Sequence, residues 1–254
     1  MNKLKYFSFA IILVISFYIT DQIMIYIDNQ SPLMKTILNV ENNYNIKPVN
    51  AIIKDNTIIP GINGKEVNKH KSLLKMEEYG SFNDNFIVYN MVEPKISLKN
   101  NKDKIIIKGN PSKREISLIL EENSLLEEFL NKNNIKYNLL TKLNSNLSIE
   151  REYINAEEDE KKFSDLDSIL NKNSLNKNLC FLNYSNIKYC QKKGYFLIHN
   201  SLDTNNKQEL LKQLNSGDIV LITKSTSLET LKLILNEIKK LDLNIVYLSK
   251  LISE

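Results

Sequence analysis

Histidine and cysteine are nearly absent from this chain. Of 254 residues only His70 and His199 are histidine, and only Cys180 and Cys190 are cysteine. No Cys-x-x-Cys pair and no Cys/His cluster exists, which excludes a structural zinc site. For the two cysteines the simpler expectation is a pair of buried thiols, and one disulfide outside the cell is the alternative. Tryptophan is missing, and glycine (6) and proline (5) are scarce. A charge of one sign is lacking too: 34 Lys and Arg stand against 30 Asp and Glu, for a net +4. The two signs are interspersed, and no basic stripe with interleaved aromatics occurs, so nucleic acid is not an expected partner. The small surplus suits weak contact with anionic envelope polymers or lipid headgroups.

What is present is a hydrophobic content of 42%, enough for one large or two small domains. Much of it opens the chain. Lys3 and Lys5 precede the apolar run Tyr6 to Thr20, and after Asp21 and Gln22 the run resumes from Ile23 to Ile27. From Leu4 to Ile27 the stretch reaches the roughly 20 residues of a spanning helix, with Asp21 near the outer interface. No small-x-small cleavage signal is evident, so residues 1–30 read as an uncleaved signal-anchor, a removed signal peptide being the alternative. The lysines predict a cytoplasmic N-terminus and a single-pass cell-membrane protein whose bulk is extracytoplasmic.

Residues 31–103 read as a small α+β region. Ser31 to Tyr44 is a stalk or amphipathic helix. Ala51 to Ile53 and Thr57 to Ile59 are short strands around the turn Lys54-Asp55-Asn56. Pro60-Gly61-Ile62-Asn63-Gly64 is a tight loop, a structural turn rather than a ligand loop, whose glycines call for positive φ or close backbone approach. Val67 to Tyr79 is a helix carrying a solvated His70, with Gly80 as its cap. Phe86 to Asn90 and Lys95 to Leu98 are strands.

From Lys104 onward strands and helices alternate, which means an α/β protein with a largely parallel sheet, open or closed. Its centre is Glu115 to Leu143. Ile116 to Leu120 is an apolar strand. Leu125, Leu126, Phe129 and Leu130 then fall at helical spacing, with Ser124 as N-cap and Glu127 completing a capping box. Asn133-Asn134 ends that helix, and Ile135 to Leu140 is the next strand of a right-handed βαβ unit. Asn144 to Lys162 reads as a surface helix or loop with a solvated acidic face at Glu157 to Glu160. Later strands are Leu179 to Leu182, Tyr195 to Ile198, Ile219 to Ile222 and Asn244 to Leu248. Leu228 to Lys240 is a clear amphipathic helix. Glu121 and Glu122 stand at the carboxyl end of the central strand, where α/β sheets place their chemistry. A helix N-terminus also favours acidic residues with no further role, so a purely structural reading stands beside the functional one.

Three segments in order carry a family likeness. Gly217 to Thr223, a helix, and Leu243 to Leu251 resemble the closing unit of NodB-type polysaccharide deacetylases. Lys193-Gly194-Tyr195 followed by Ser201-Leu202-Asp203-Thr204 resembles that family's fourth motif. Ile116 to Asn123 matches the position of its first motif, a strand running into Thr-Phe-Asp-Asp-Gly. The resemblance covers residues 104–254 and implies a shortened, distorted (β/α) barrel of the polysaccharide deacetylase type. The small α+β region and the transmembrane anchor would precede it.

In that family the first Asp of the pair is the catalytic base. The second holds a divalent metal together with the two histidines of a His-x-x-x-His motif, and a later His is the general acid. Here the pair reads Glu121-Glu122, with Asn123 in place of glycine. The metal histidines should fall between Leu143 and Leu179, where no histidine exists. The arginine-proline motif after Leu179 to Leu182 reads Leu182-Asn183-Tyr184-Ser185. The general-acid position falls on Thr223, which cannot shuttle a proton near neutral pH. His199 matches no family histidine. Amide hydrolysis by this route needs a metal that polarises the carbonyl and activates water. One carboxylate without imidazole is a poor zinc or cobalt site.

The expectation is therefore a pseudoenzyme that needs no cofactor and binds cell-wall glycan or an envelope protein. Its groove would be formed by Glu121, Asn123, Tyr184, Asp203 and Thr223. The alternative is an active, divergent hydrolase that removes N-acetyl groups from wall polysaccharide. It would use Glu121, Glu122 and Asp203 as an oxygen-only site for a harder divalent cation. A third reading is a secreted structural domain with neither property.

Overall fold

The apolar N-terminal run forms one long helix, and an alternating α/β chain follows it. The computed structural model describes residues 2–143, 147, 151–182 and 187–254. Within them the helices are α1 (Asn2–Gln30), α2 (Pro32–Tyr44), α3 (Lys69–Glu77), α4 (Ser124–Lys132), α5 (Glu160–Lys172), α6 (Ile187–Lys193), α7 (Lys207–Gln213), α8 (Leu228–Lys240) and α9 (Leu248–Leu251). The early strands are β1 (Ile52–Lys54), β2 (Thr57–Ile59), β3 (Gly64–Val67), β4 (Tyr89–Val92) and β5 (Ile105–Ile106). Then come β6 (Glu115–Leu120), β7 (Asn138–Thr141), β8 (Glu152–Asn155), β9 (Leu179–Phe181), β10 (Phe196–Ile198), β11 (Leu202–Asp203), β12 (Ile219–Ile222) and β13 (Asn244–Ile245). Two compact units result: Met1–Pro48 with Asn63–Val92, and Val49–Ile62 with Glu93–Glu254.

In the first unit α1 carries a stretch, Ile11–Gln30, long and apolar enough to cross a membrane, and none of it is buried. The stalk-or-helix alternative for the next segment resolves as the helix α2. Its Met34 and Ile37 pack against Val67, Leu73 and Met76. Strands β3 and β4 pair antiparallel. Gly64 lies so close to the chain that a Cβ there would stand 2.4 Å from the Ile46 carbonyl oxygen, the close approach its loop calls for.

The second unit is a distorted barrel of mostly parallel strands. One run has the order β11-β12-β6-β7-β8, all parallel. Strand β13 shares the β7 edge of β6, pairing with Glu115 and Ile116 while β7 pairs with Ile119 and Leu120. The other run is β1-β2-β5-β10-β9, with only β1 and β2 antiparallel. A parallel bridge between Tyr153 and Asn176 brings β8 beside the start of β9. Strands β6, β7, β8, β9 and β12 are buried at every position because both faces are covered. Ile116, Leu118 and Leu120 pack outward on Leu126 and Leu130 of α4 and on Leu231, Ile234 and Ile238 of α8. Ile119 turns inward with Ile219, Leu221, Phe181 and Ile198.

The amino-terminal end of the barrel is closed by α9. Asn138 Oδ1 accepts the Leu248 amide at 3.0 Å, and Glu152 accepts the amide and hydroxyl of Ser249. Lys113 Nζ donates to the carbonyls of Lys250, Leu251 and Ser253. Burial pushes the Lys113 ammonium below its usual range.

Several local expectations are corrected. Asn123, not Ser124, caps α4: its Oδ1 accepts the Leu126 amide at 3.2 Å. Residues 152–155, read as part of a polar surface segment, are the buried strand β8. Glu157 is buried, and its Oε1 accepts the Leu143 amide at 2.8 Å, while Asp159 caps α5. Of the expected acidic face, Glu157 is thus withdrawn into the fold, while Glu158, Asp159 and Glu160 are exposed as expected. Residues 144–146 and 148–150 of that segment lie outside the described residues. Cys180 and Cys190 are a disulfide, not two thiols. Helix α6 packs on β9 and β10 so that Cys190 enters the buried cluster of Phe163, Cys180, Tyr195 and Leu197.

Candidate functional site

Three strand ends converge at the carboxyl end of the barrel. Register sets Ile222 beside Leu120 and Asp203 beside Leu221. The loops leaving β6, β11 and β12 are therefore neighbours. The Glu121 amide donates to the Ile222 carbonyl at 2.9 Å, continuing the ladder one residue beyond the strand.

Side chains then tie the loops together. Glu121 Oε2 accepts the Lys224 amide at 2.7 Å. Asn123 Nδ2 donates to the Lys224 carbonyl at 3.1 Å while its Oδ1 caps α4. Both polar groups of Lys224's backbone are thus held by residues of the β6–α4 loop. Beside this clasp lies a cluster of hydroxyls. Thr204 Oγ1 accepts the Thr223 amide at 3.0 Å and is bonded to Thr223 Oγ1 at 3.0 Å and Thr226 Oγ1 at 2.5 Å. Ser225 Oγ reaches Thr223 Oγ1 at 3.1 Å. All three threonines are buried.

The sequence-derived candidates part company here. Glu121, Asn123 and Thr223 meet around Lys224. Asp203 faces its own turn: its Oδ1 accepts the Asn205 amide at 2.9 Å. Glu122 is exposed and lines an open groove of about 960 Å³ along α4, with Asn123, Glu127, Asn131 and Arg151. In that groove Arg151 pairs with Glu127 at 2.7 Å and stacks over Tyr137. Tyr184 lies outside the described residues. His199, at the end of β10, bonds through Nδ1 to the Asn200 carbonyl at 2.7 Å, an arrangement that places the proton on Nδ1. Lys224, Thr204 and Thr226 were not foreseen as participants. Their only signal was the run of hydroxyl residues from Thr223 to Ser227 following a strand.

The divalent cation implied by the resemblance does not fit these residues. Among the described residues no three His, Cys, Asp or Glu side chains come together as a ligand set. One oxygen of Glu121 already accepts the Lys224 amide. Thr223 offers a hydroxyl bound within its cluster, where a proton shuttle would be needed.

Comparison with known proteins agrees on the fold. No protein-family model matches the chain. Over 106 residues it is 35% identical to the uncharacterized protein YlxY of Bacillus subtilis (strain 168), a match covering 40% of this chain and 33% of that protein. The matched part thus spans about one third of the curated relative. The solved structure of BA3943 from Bacillus anthracis, described as a CE4 family pseudoenzyme, superposes with a TM-score of 0.60 at 18% identity, covering 89% of this chain and 96% of that one. A BA3943 mutant described as having restored enzymatic activity gives 0.60 at 18% identity, over 88% and 99%. The deacetylase-type barrel expected from the sequence is the fold of this protein.

Proposed function

We propose that this chain is a membrane-anchored, extracytoplasmic deacetylase-like protein that binds cell-envelope glycan and does not hydrolyse it. The observation that carries this reading is the clasp on Lys224. The carboxylate at the family's base position accepts a backbone amide at 2.7 Å, and the residue in place of the motif glycine holds the carbonyl of the same residue. A general base must present a lone pair to water; one oxygen of this carboxylate is instead engaged in joining two loops. The metal position has no imidazole to support it. A neighbour in fold is described as a pseudoenzyme, which gives the reading a precedent.

Export is supported by two independent features. Lys3 and Lys5 precede an unburied apolar helix, the pattern of a cytoplasmic N-terminus. The Cys180–Cys190 disulfide belongs to an oxidising compartment. The glycan would lie across the carboxyl end of the barrel, near Glu121, Asn123, Tyr184, Asp203 and Thr223.

The test uses the full chain in detergent, stripped with a chelator and titrated with zinc, cobalt, manganese and calcium. It is then incubated with N-acetylated wall oligosaccharides. We expect no stoichiometric metal, no acetate release and retention of the oligosaccharide. Stoichiometric metal at micromolar affinity or better, lost in Glu122→Gln and accompanied by acetate release, would overturn the reading in favour of the divergent hydrolase. Absence of glycan retention would turn the search to an envelope protein.

A further inference from the structure

The last turn of α1 holds a contact that fixes where the first unit meets its surroundings. Ile27 is the last apolar residue of the spanning stretch, and Asp28-Asn29-Gln30 end the helix. A polar end after an apolar run of spanning length sits at the membrane–water boundary. Asp28 Oδ2 lies 2.6 Å from His70 Nδ1, with only 15% of the Asp28 side chain exposed. His70 is the second residue of α3, so the start of α3 is pinned at the depth of Asp28.

That position is reinforced from α2, which begins at Pro32, directly after Ser31. Lys69 Nζ pairs with Glu41 Oε2 at 2.9 Å, and Leu73 and Met76 of α3 pack on Met34 and Ile37. The headgroup layer is about 5–8 Å thick on each side of the hydrocarbon. A residue adjoining the Asp28 contact falls within it. Lys69 and Lys71 adjoin His70 on either side, and Lys35 lies in the first turn of α2; all three are exposed. Lys69 is answered by Glu41 and His70 by Asp28, whereas Lys35 and Lys71 have no ion pair among the described residues. Glu77 and Glu78 lie at the far end of α3. Leu74, one turn beyond His70 on the same face, is 51% exposed.

We propose that α3 and the first turn of α2 form a headgroup-binding collar. Lys35 and Lys71 take the phosphates of anionic phospholipids in the leaflet where α1 ends. This rests on the membrane-anchored reading, and the test separates the two. The full chain is placed in nanodiscs of phosphatidylcholine with or without phosphatidylglycerol. Single fluorophores are carried at Tyr18→Cys, within α1, and at Lys75→Cys, on α3, and are quenched by acyl- or headgroup-labelled lipid.

Acyl quenching at position 18, headgroup quenching at 75 and a rise at 75 with phosphatidylglycerol are expected. Each lysine at an anionic surface contributes about fivefold in local lipid preference, so Lys35→Gln with Lys71→Gln lowers that preference tenfold or more. His70→Ala, which releases the pin, reduces quenching at 75 and leaves position 18 unchanged. Quenching at 18 without any at 75, or equal quenching at 75 in neutral and anionic discs, overturns the collar and leaves the anchor standing. No quenching at 18 overturns both.

Discussion

Glu121 reaches over to the neighbouring loop, to the backbone of Lys224 103 residues later, and accepts its amide at 2.7 Å. This bond fixes the geometry of the loops that follow β6 and β12 relative to each other. Replacing Glu121 by Gln preserves an acceptor, so its unfolding free energy is expected to stay within about 0.5 kcal/mol of the parent. Glu121→Ala removes the acceptor and is expected to lose about 1 kcal/mol. Asn123→Ala, which removes both a helix cap and the other half of the clasp, is expected to lose about 1–2 kcal/mol. Because the two grip one residue, their effects should not add; denaturant titration of the double variant would reveal the coupling.

The disulfide closes a short ring around residues 183–186 with both cysteines buried. Neither sulfur is expected to react with reductant or alkylating agent in the folded protein. A loop of this length is worth roughly 2–3 kcal/mol through the unfolded chain. Cys180→Ser with Cys190→Ser should lower the denaturation midpoint accordingly, and mass spectrometry after alkylation with and without denaturant would verify the protection.

Two tyrosines are expected to titrate late. Burial pushes Tyr137 up to about 12, and burial with the Asp167 hydrogen bond at 2.5 Å pushes Tyr195 up to about 12. An unfolded tyrosine ionises near 10. Both groups thus favour the folded state fully below pH 10, and that contribution drains away as pH climbs from about 10 to 12. Spectrophotometric titration at 295 nm should show a late phase, diminished in Tyr195→Phe and Tyr137→Phe.

Asp218 is a fully buried carboxylate that accepts from Lys108 Nζ at 2.7 Å, Ser201 Oγ at 2.9 Å and the Asn215 amide at 2.8 Å. Removing Lys108, the only cationic partner of Asp218 among the described residues, leaves a buried charge underpaired. Lys108→Met is expected to destabilise by about 2–3 kcal/mol, less than a wholly buried pair would because Lys108 is partly exposed. Asp218→Asn in the same background should recover part of the loss, measured by urea unfolding.

Legibility in the sequence followed the physics of each segment. Helix α8 and strand β12 have the expected bounds, since a period of 3.6 and an uninterrupted, β-branched-rich apolar run are strong local signals. The turn at Asp55 was also legible, and Asp55 has the positive φ such turns favour. Strand β8 was not, because Glu152 and Asn155 look solvated; Glu152 is bonded by Ser249, far along the chain, and Asn155 by the Phe163 carbonyl of the following helix. The acidic pair at 121–122 was rightly located at a strand end, yet its separate fates were hidden. Only the third dimension shows that Lys224 claims Glu121 while Glu122 turns to the groove. The cap at Asn123 was missed because Asn and Ser both cap helices, and one residue of register decides between them.

Strand β6 illustrates what such connectivity does in time. One of its edges is taken by β12, and part of the other by β13, both about a hundred residues downstream. Until residues 219–245 arrive, this buried central strand has only β7 to pair with. Closing loops of that size makes folding slow and dependent on distant contacts. Under the export proposed above, that delay would be an asset: the wiring of the barrel would keep the passenger loose until residues 219–245 had crossed.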